Sequence, residues 1–211
     1  MKKRLIVINF KSYKESTGEK GLKLAKKLDM PNVVLAVASL DILNISQKCK
    51  NAKIFSQYID PIEYGAYTGS LTALEVKNSG ALGTLINHSE KPLKFKDLKQ
   101  TLKIAKKYNL ITIVCAKNLE MIKKIAKLKP DYIAIEPPYL ISGKISVSEA
   151  KPDLIKNAVK YYKNILVGAG IHSKNDVEIA FKLGACGVLI SSAIVKSKNP
   201  RKLLKEIITF S

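Results

Sequence analysis

Along this chain, short apolar runs alternate with longer stretches in which apolar residues recur every three or four positions. The runs Leu5–Phe10, Val33–Ala38, Ala52–Gln57, Gly83–His88, Ile111–Ala116, Tyr132–Glu136, Asn164–Gly168 and Gly187–Ile190 read as strands. Between them, "EKGLKLAKKLD", "KDLKQTLKIAKKY", "LEMIKKIAKLK", "KPDLIKNAVKYYK" and "SKNDVEIAFKLG" carry an apolar stripe on one helical face and lysines on the other, and "NPRKLLKEIITF" ends the series. Leu40–Cys49 shows the helical pattern less fully. Ser173 and Asn199 stand where helix N-caps belong, and Gly184 where a C-cap belongs.

The pattern amounts to eight strand–helix units in 211 residues, with no long linker and no shift of composition. Strands buried on both faces, each followed by a helix, imply a parallel sheet. Eight units fit a single α/β domain over residues 1–211, closed as a (β/α)8 barrel. A doubly wound open sheet is the structural alternative, and two small domains would need a boundary the sequence does not offer. At roughly 26 residues per unit most loops must be minimal, so the longer ones stand out.

Hydrophobic residues make up 46% of the chain, enough for a sizeable core. No apolar run approaches the roughly 18 residues that span a bilayer, which gives no expectation of a membrane. The start, "MKKRLIVINFKSYKE", is basic and then apolar like a secretion signal, but Asn9 and Lys11 interrupt it and no small-residue cleavage site follows. A soluble cytoplasmic protein is expected. Cys49, Cys115 and Cys186 lie too far apart for a metal-ligand spacing or a disulfide framework. The net charge of +20 raises the question of a nucleic-acid partner. Its lysines are spread over helical faces, however, and Arg4 and Arg201 are the only arginines, so solvated lysine faces account for it and no nucleic acid is expected. The same field would steer a small anionic substrate.

In such a barrel, chemistry belongs at the C-terminal ends of the strands. The first ends in "INFKSY", where Asn9 and Lys11 share a face and Phe10 points away. The fourth ends in "TLINHSE", placing His88 there on the parity of Ile86, followed by Ser89 and Glu90. The other histidine, His172, reads as a loop residue near the next helix start and receives no role. The sixth ends at Glu136, on the parity of Tyr132 and Ala134, where a desolvated carboxylate can act as a general base. Pro137 and Pro138 stiffen the chain behind it. The seventh and eighth end in "LVGAGI" and "VLISSAI". Gly168, Gly170, Ser191 and Ser192 suit a phosphate site built from backbone N–H groups, as opposed to tight turns alone.

Asn9-x-Lys11, "NHSE" and Glu136-Pro137, at three strand ends in order, resemble the triosephosphate isomerase family. So does "YGAYTGSLTALEVKNSGALGTLINHSEK" (64–91), similar to the family's dimer-loop and histidine block, and "VGAGI" and "GVLISSAIVK" sit where the family binds phosphate. The resemblance covers the whole chain, and "EPP", "NHSE" and the short length are similar to the archaeal branch of this TIM-barrel family. It implies interconversion of dihydroxyacetone phosphate and D-glyceraldehyde 3-phosphate in glycolysis and gluconeogenesis, without cofactor or metal. It implies Glu136 as base, His88 as electrophile and proton shuttle, Lys11 and Asn9 as donors to the developing oxyanion, and Glu90 as the orienter of Lys11. It gives Cys115 a packing role. It also implies a homo-oligomer, a dimer or tetramer, through Tyr64–Gly69.

The chain departs from the family at the phosphate ligands. Where the family's mobile loop reads Ile-Gly-Thr-Gly, this chain has Ile141-Ser142-Gly143-Lys144, so the gripping amide belongs to Ser142 or Gly143. Ser191-Ser192 replaces a glycine pair, and Gly170 replaces a serine of longer forms. Two rival readings stay open: another phosphate-binding barrel isomerase or synthase, and a non-catalytic barrel scaffold.

Overall fold

Eight parallel strands pair in chain order until the last meets the first, so the sheet closes on itself and the open doubly wound alternative is excluded. The structure is a computed structural model that describes residues 4–140 and 146–209. The strands are β1 (Leu5–Asn9), β2 (Val33–Val37), β3 (Lys53–Ser56), β4 (Gly83–Ile86), β5 (Ile111–Ala116), β6 (Tyr132–Ile135), β7 (Ile165–Gly168) and β8 (Gly187–Ile190). Each lies where the apolar runs place it, but several stop one or two residues short. Asn9 is the last residue of β1, whereas His88 and Glu136 stand just beyond the ends of β4 and β6.

Alternation along the strands sorts the apolar residues into two layers. Val7, Ala36, Phe55, Leu85, Ile113, Cys115, Ala134, Leu166 and Leu189 pack with one another and with no helix residue, which makes them the barrel interior. Their neighbours Ile6, Ile8, Leu35, Ile86, Val114, Ile133, Ile165 and Val188 meet the helices' apolar stripes, among them Leu24, Leu28, Leu98, Ile122, Ile155 and Leu204. Each such buried side chain contributes roughly 1.5–3 kcal/mol by leaving water. Asn9, Glu136, Gly168 and Ser191 continue the inward parity past the last interior layer, which carries them to the barrel mouth.

The helices among the described residues are α1 (Gly18–Leu28), α2 (Ile42–Lys48), α3 (Ala73–Asn78), α4 (Phe95–Lys107), α5 (Leu119–Ala126), α6 (Val147–Ala150), α7 (Pro152–Tyr161), α8 (Lys174–Lys182), α9 (Ser192–Val195) and α10 (Pro200–Ile208). Ser173 caps α8 as expected, its side chain accepting from Asp176 N while the Asp176 carboxylate accepts in return. Gly184 follows the C-cap of α8 at φ +99°, a conformation that side chains rarely adopt. Asn199 precedes α10 without a side-chain cap bond, and Pro200 at its first position does the pre-organising. The periodicity did not single out α3. It has only six residues, yet Thr72 and Glu75 form a reciprocal capping box, and the Thr-x-x-Glu spacing was its readable signal.

Candidate active site

Asn9, Lys11, His88 and Glu136 come from three separate strand ends and line one narrow cavity at the C-terminal mouth. Glu136 is buried at 6% exposure and His88 at 7%, unusual for polar side chains and affordable only if they have work or partners there. His88 Nε2 stands 3.6 Å from Glu136 Oε2, too far for a direct hydrogen bond. Glu136 Oε2 has no hydrogen-bond partner among the described residues. A buried carboxylate oxygen left unpaired faces the place where a proton could be taken.

His88 does not reach the interior by simple alternation. Ile86 packs outward against the helices, so parity alone would send His88 outward too. Asn87 reverses it by adopting φ +62°, and is held there because its Nδ2 donates to Cys115 O at 2.9 Å and its Oδ1 accepts from Leu93 N at 2.9 Å. The ring's tautomer follows from its other nitrogen. Glu90 N donates to His88 Nδ1 at 3.2 Å, so Nδ1 is the acceptor and a neutral ring carries its proton on Nε2, toward Glu136.

Lys11 follows β1 in a left-handed conformation, φ +50°. Such a residue is strained unless its surroundings hold it. Asn9 Oδ1 accepts from Lys11 N at 3.0 Å, and Gln57 Nε2 donates to Lys11 O at 3.0 Å and to Ala36 O at 3.1 Å. The Lys11 ammonium then meets Glu90 Oε1 at 2.7 Å, with the lysine side chain 10% exposed and the glutamate 57%. Gln57 was not picked out by sequence reasoning. A polar side chain one residue beyond a buried strand was the available signal.

Glu136 is set by β6 and its neighbours. Its N–H donates to Ala116 O at 2.9 Å, continuing the sheet by one residue, and a 3-10 turn over Pro138–Leu140 follows. Burial first, and then the Glu136 carboxylate beside it, hold the Cys115 thiol well above the usual cysteine range, so Cys115 stays a thiol that can donate to Glu136. Gly168 faces the other side of that carboxylate. A Cβ on Gly168 would stand 2.6 Å from Glu136 Cγ and 2.8 Å from Oε1. Besides its place among the residues grouped for phosphate, Gly168 makes room for Glu136 by having no side chain.

At the other end of the cavity lie Gly170, Ser191 and Ser192, as the sequence implied, together with Ala169 and His172. Ala169 and Gly170 have φ +71° and +67°, successive left-handed residues that turn the chain sharply after β7. The Ser191 hydroxyl donates to Asn9 O at 2.7 Å, which commits its proton to the β1 backbone and leaves main-chain N–H groups for an anion. Ser142 and Gly143 lie outside the described residues. The chain rejoins the site where Val147 N donates to Ala169 O at 3.1 Å.

The family model described as triosephosphate isomerase matches residues 4–210 of this chain. The triosephosphate isomerase of Methanothermus fervidus is 41% identical, with 99% of each chain covered. That of Saccharolobus solfataricus is 39% identical over 99% of this chain and 96% of its own. That of Methanocaldococcus jannaschii is 41% identical over 98% of this chain and 99% of its own.

Proposed function

The chain belongs to the triosephosphate isomerase family, and we propose on that footing that it interconverts dihydroxyacetone phosphate and D-glyceraldehyde 3-phosphate through an enediolate. The observation that carries the assignment of roles is the buried Glu136 Oε2, without a hydrogen-bond partner among the described residues, standing 3.6 Å from the Nε2 side of His88. Glu136 removes a proton from the carbon beside the carbonyl. The electron pair moves into the C–C bond, the carbonyl oxygen gains negative charge, and the His88 Nε2–H donates to it. His88 gives that oxygen a proton and takes the hydroxyl proton of the first carbon in exchange; the proton on Glu136 then goes to the second carbon as the first becomes the new carbonyl. Pairing a glutamate base with a neutral histidine is established chemistry of this family, so the geometry here supports the roles rather than originating them.

Lys11 and Asn9 supply positive charge and an amide to the oxyanion, in a site dry enough for such donors to matter. Glu90 positions the Lys11 ammonium and, through its N–H, fixes the tautomer of His88. The backbone of Gly170, Ser191 and Ser192 takes the phosphate, with Ser142 or Gly143 added from the loop that follows Glu136. Closure of such a loop over substrate is likewise a family property. No cofactor or metal enters any step.

Work in glycolysis and gluconeogenesis in the cytoplasm follows from this reading. Among the described residues no helix is long and apolar enough to cross a membrane. Self-association through Tyr64–Gly69, as a dimer or tetramer, is part of the same proposal. Tyr64 and Tyr67 are 67% and 51% exposed, and the preceding Glu63 is anchored by Lys107 Nζ at 3.0 Å and Tyr108 Oη at 2.9 Å. A coupled assay with glyceraldehyde 3-phosphate tests the function. Turnover by the wild-type chain that collapses in Glu136→Asp and His88→Gln supports it. Turnover only of other phosphorylated sugars or amines would favour another phosphate-binding barrel enzyme, and none at all a scaffold.

A further inference from the structure

We propose that Asn87 is a positioning residue for the reaction, whose side-chain amide sets the spacing between the His88 ring and the Glu136 carboxylate by fastening the loop after β4 to the end of β5. Its effect on turnover rests on the triose phosphate reading, whereas its hold on His88 does not.

His88 and Glu136 do not follow neighbouring strands. β5 runs between β4 and β6, paired on one side through Ile86 and Val114 and on the other through Ala116 and Ile135. Elsewhere at the mouth a strand is continued by its own main chain: Phe10 N donates to Ala36 O and Glu136 N to Ala116 O, each at 2.9 Å. β4 continues differently. Asn87 takes φ +62°, a region that asparagine enters more readily than most residues. Its side-chain Nδ2 then donates to Cys115 O at 2.9 Å, so a side-chain amide makes the rung that follows Ile86 and Val114. Cys115 and Ala116 are consecutive. Two adjacent carbonyls of β5 thus hold Asn87 on one side and Glu136 on the other. β5 is the spacer between electrophile and base, and Asn87 is its fastening on the His88 side.

The other end of the same amide closes the loop. Asn87 Oδ1 accepts from Leu93 N at 2.9 Å, across a turn that carries His88 and Glu90. Within that turn Lys91 N donates to His88 O at 2.9 Å and Glu90 N to His88 Nδ1 at 3.2 Å. Glu90 in turn holds the Lys11 ammonium at 2.7 Å. A carbonyl oxygen only accepts and a main-chain N–H only donates, so the two contacts demand one donor and one acceptor from a single short side chain. Among small residues that tolerate left-handed backbone, glycine offers neither group and ionised aspartate lacks the donor. Without the amide, the turn keeps only its local bonds. His88 is then free to shift relative to Glu136 Oε2, from which its Nε2 stands 3.6 Å.

The test compares wild type with Asn87→Gly, which permits positive φ but has no amide, and Asn87→Asp, which keeps an acceptor for Leu93 N and sets an oxygen against Cys115 O. Three quantities are read: kcat and KM for glyceraldehyde 3-phosphate, inorganic phosphate binding by calorimetry, and the ring-nitrogen NMR signals of the two histidines after isotopic labelling. His88→Gln assigns the His88 signals. In Asn87→Gly, kcat falls about ten- to a hundredfold, the cost of an error of about an ångström at a reacting group. KM and phosphate affinity stay within about twofold, because the lost interaction acts only on the transition state and the phosphate end lies beyond β7 and β8. The wild-type His88 signals show the proton on Nε2, and in Asn87→Gly they move toward the average of two tautomers. Asn87→Asp shows the same three results and decides the matter if Asn87→Gly does not fold. Unchanged kcat in a folded variant, equal losses of kcat and phosphate affinity, unmoved His88 signals, or failure of both variants to fold overturns the proposal. If wild type turns over no triose phosphate, the functional reading fails, and the His88 signals with the phosphate affinity decide the positioning by themselves.

Discussion

Glu136 occupies the space that a side chain at Gly168 would need, with its Cγ 2.6 Å from where that Cβ would lie. The β7 residue thus acts as a mould for the β6 carboxylate, which can be neither withdrawn sideways nor replaced in place without cost. Gly168→Ala should leave the backbone fold intact, since Gly168 does not have positive φ, and should push the carboxylate off its line to substrate. An error of an ångström at a reacting group costs about a hundredfold. We expect kcat to fall about ten- to a hundredfold with a smaller change in KM, measured by the coupled assay. Unchanged kcat would show that Glu136 has another resting place from which it works equally well.

Asp176 ties the N-terminus of α8 to His172 and Ser146, and its pKa is lower in the folded chain than in the unfolded one. Its contribution to stability is therefore complete above the unfolded value of about 3.9 and is lost as pH falls through the folded value. Asp176→Asn should destabilise the protein by about 1 kcal/mol near neutrality, the usual worth of a helix cap. The gap should narrow below about pH 4, where wild type also becomes protonated. Urea unfolding across that range measures both limbs.

Tyr64 and Tyr67 stand exposed on the loop after β3. A chain of 23.3 kDa that associates through them should scatter light with at least twice that mass. Replacing both by aspartate should return the mass to that of one chain, because charged groups at the centre of an interface are unfavourable there. A wild-type mass of one chain would contradict self-association, and no effect of the double substitution would place it elsewhere.

The architecture was legible because apolar period and strand–helix alternation are redundant over eight units. An error at one element, such as the missed α3, leaves the barrel unchanged. Asn9 and Glu136 were legible by parity, since both continue the inward row of their strands. His88 was reached from its place at a strand end, whereas its orientation was not, because Asn87 inverts the alternation through a positive φ that nothing local in the sequence announces. What Gly168 and His172 adjoin was not legible for a related reason. What each one touches depends on the turn at Ala169–Gly170 and on a different strand, and close approach between strands is not written in the spacing of either. Gln57 shows the same limit, a side chain whose purpose is the backbone of Lys11, 46 positions away.

The central claim is that Glu136 removes the proton. The direct measurement is exchange of the carbon-bound hydrogen of dihydroxyacetone phosphate in heavy water, followed by NMR with wild type and Glu136→Gln. Wild type should incorporate deuterium and release glyceraldehyde 3-phosphate. Glu136→Gln should slow both together by about a thousandfold, within the range supplied by a general base, while still binding inorganic phosphate. Exchange at the wild-type rate in Glu136→Gln would contradict the account and assign the base to another group.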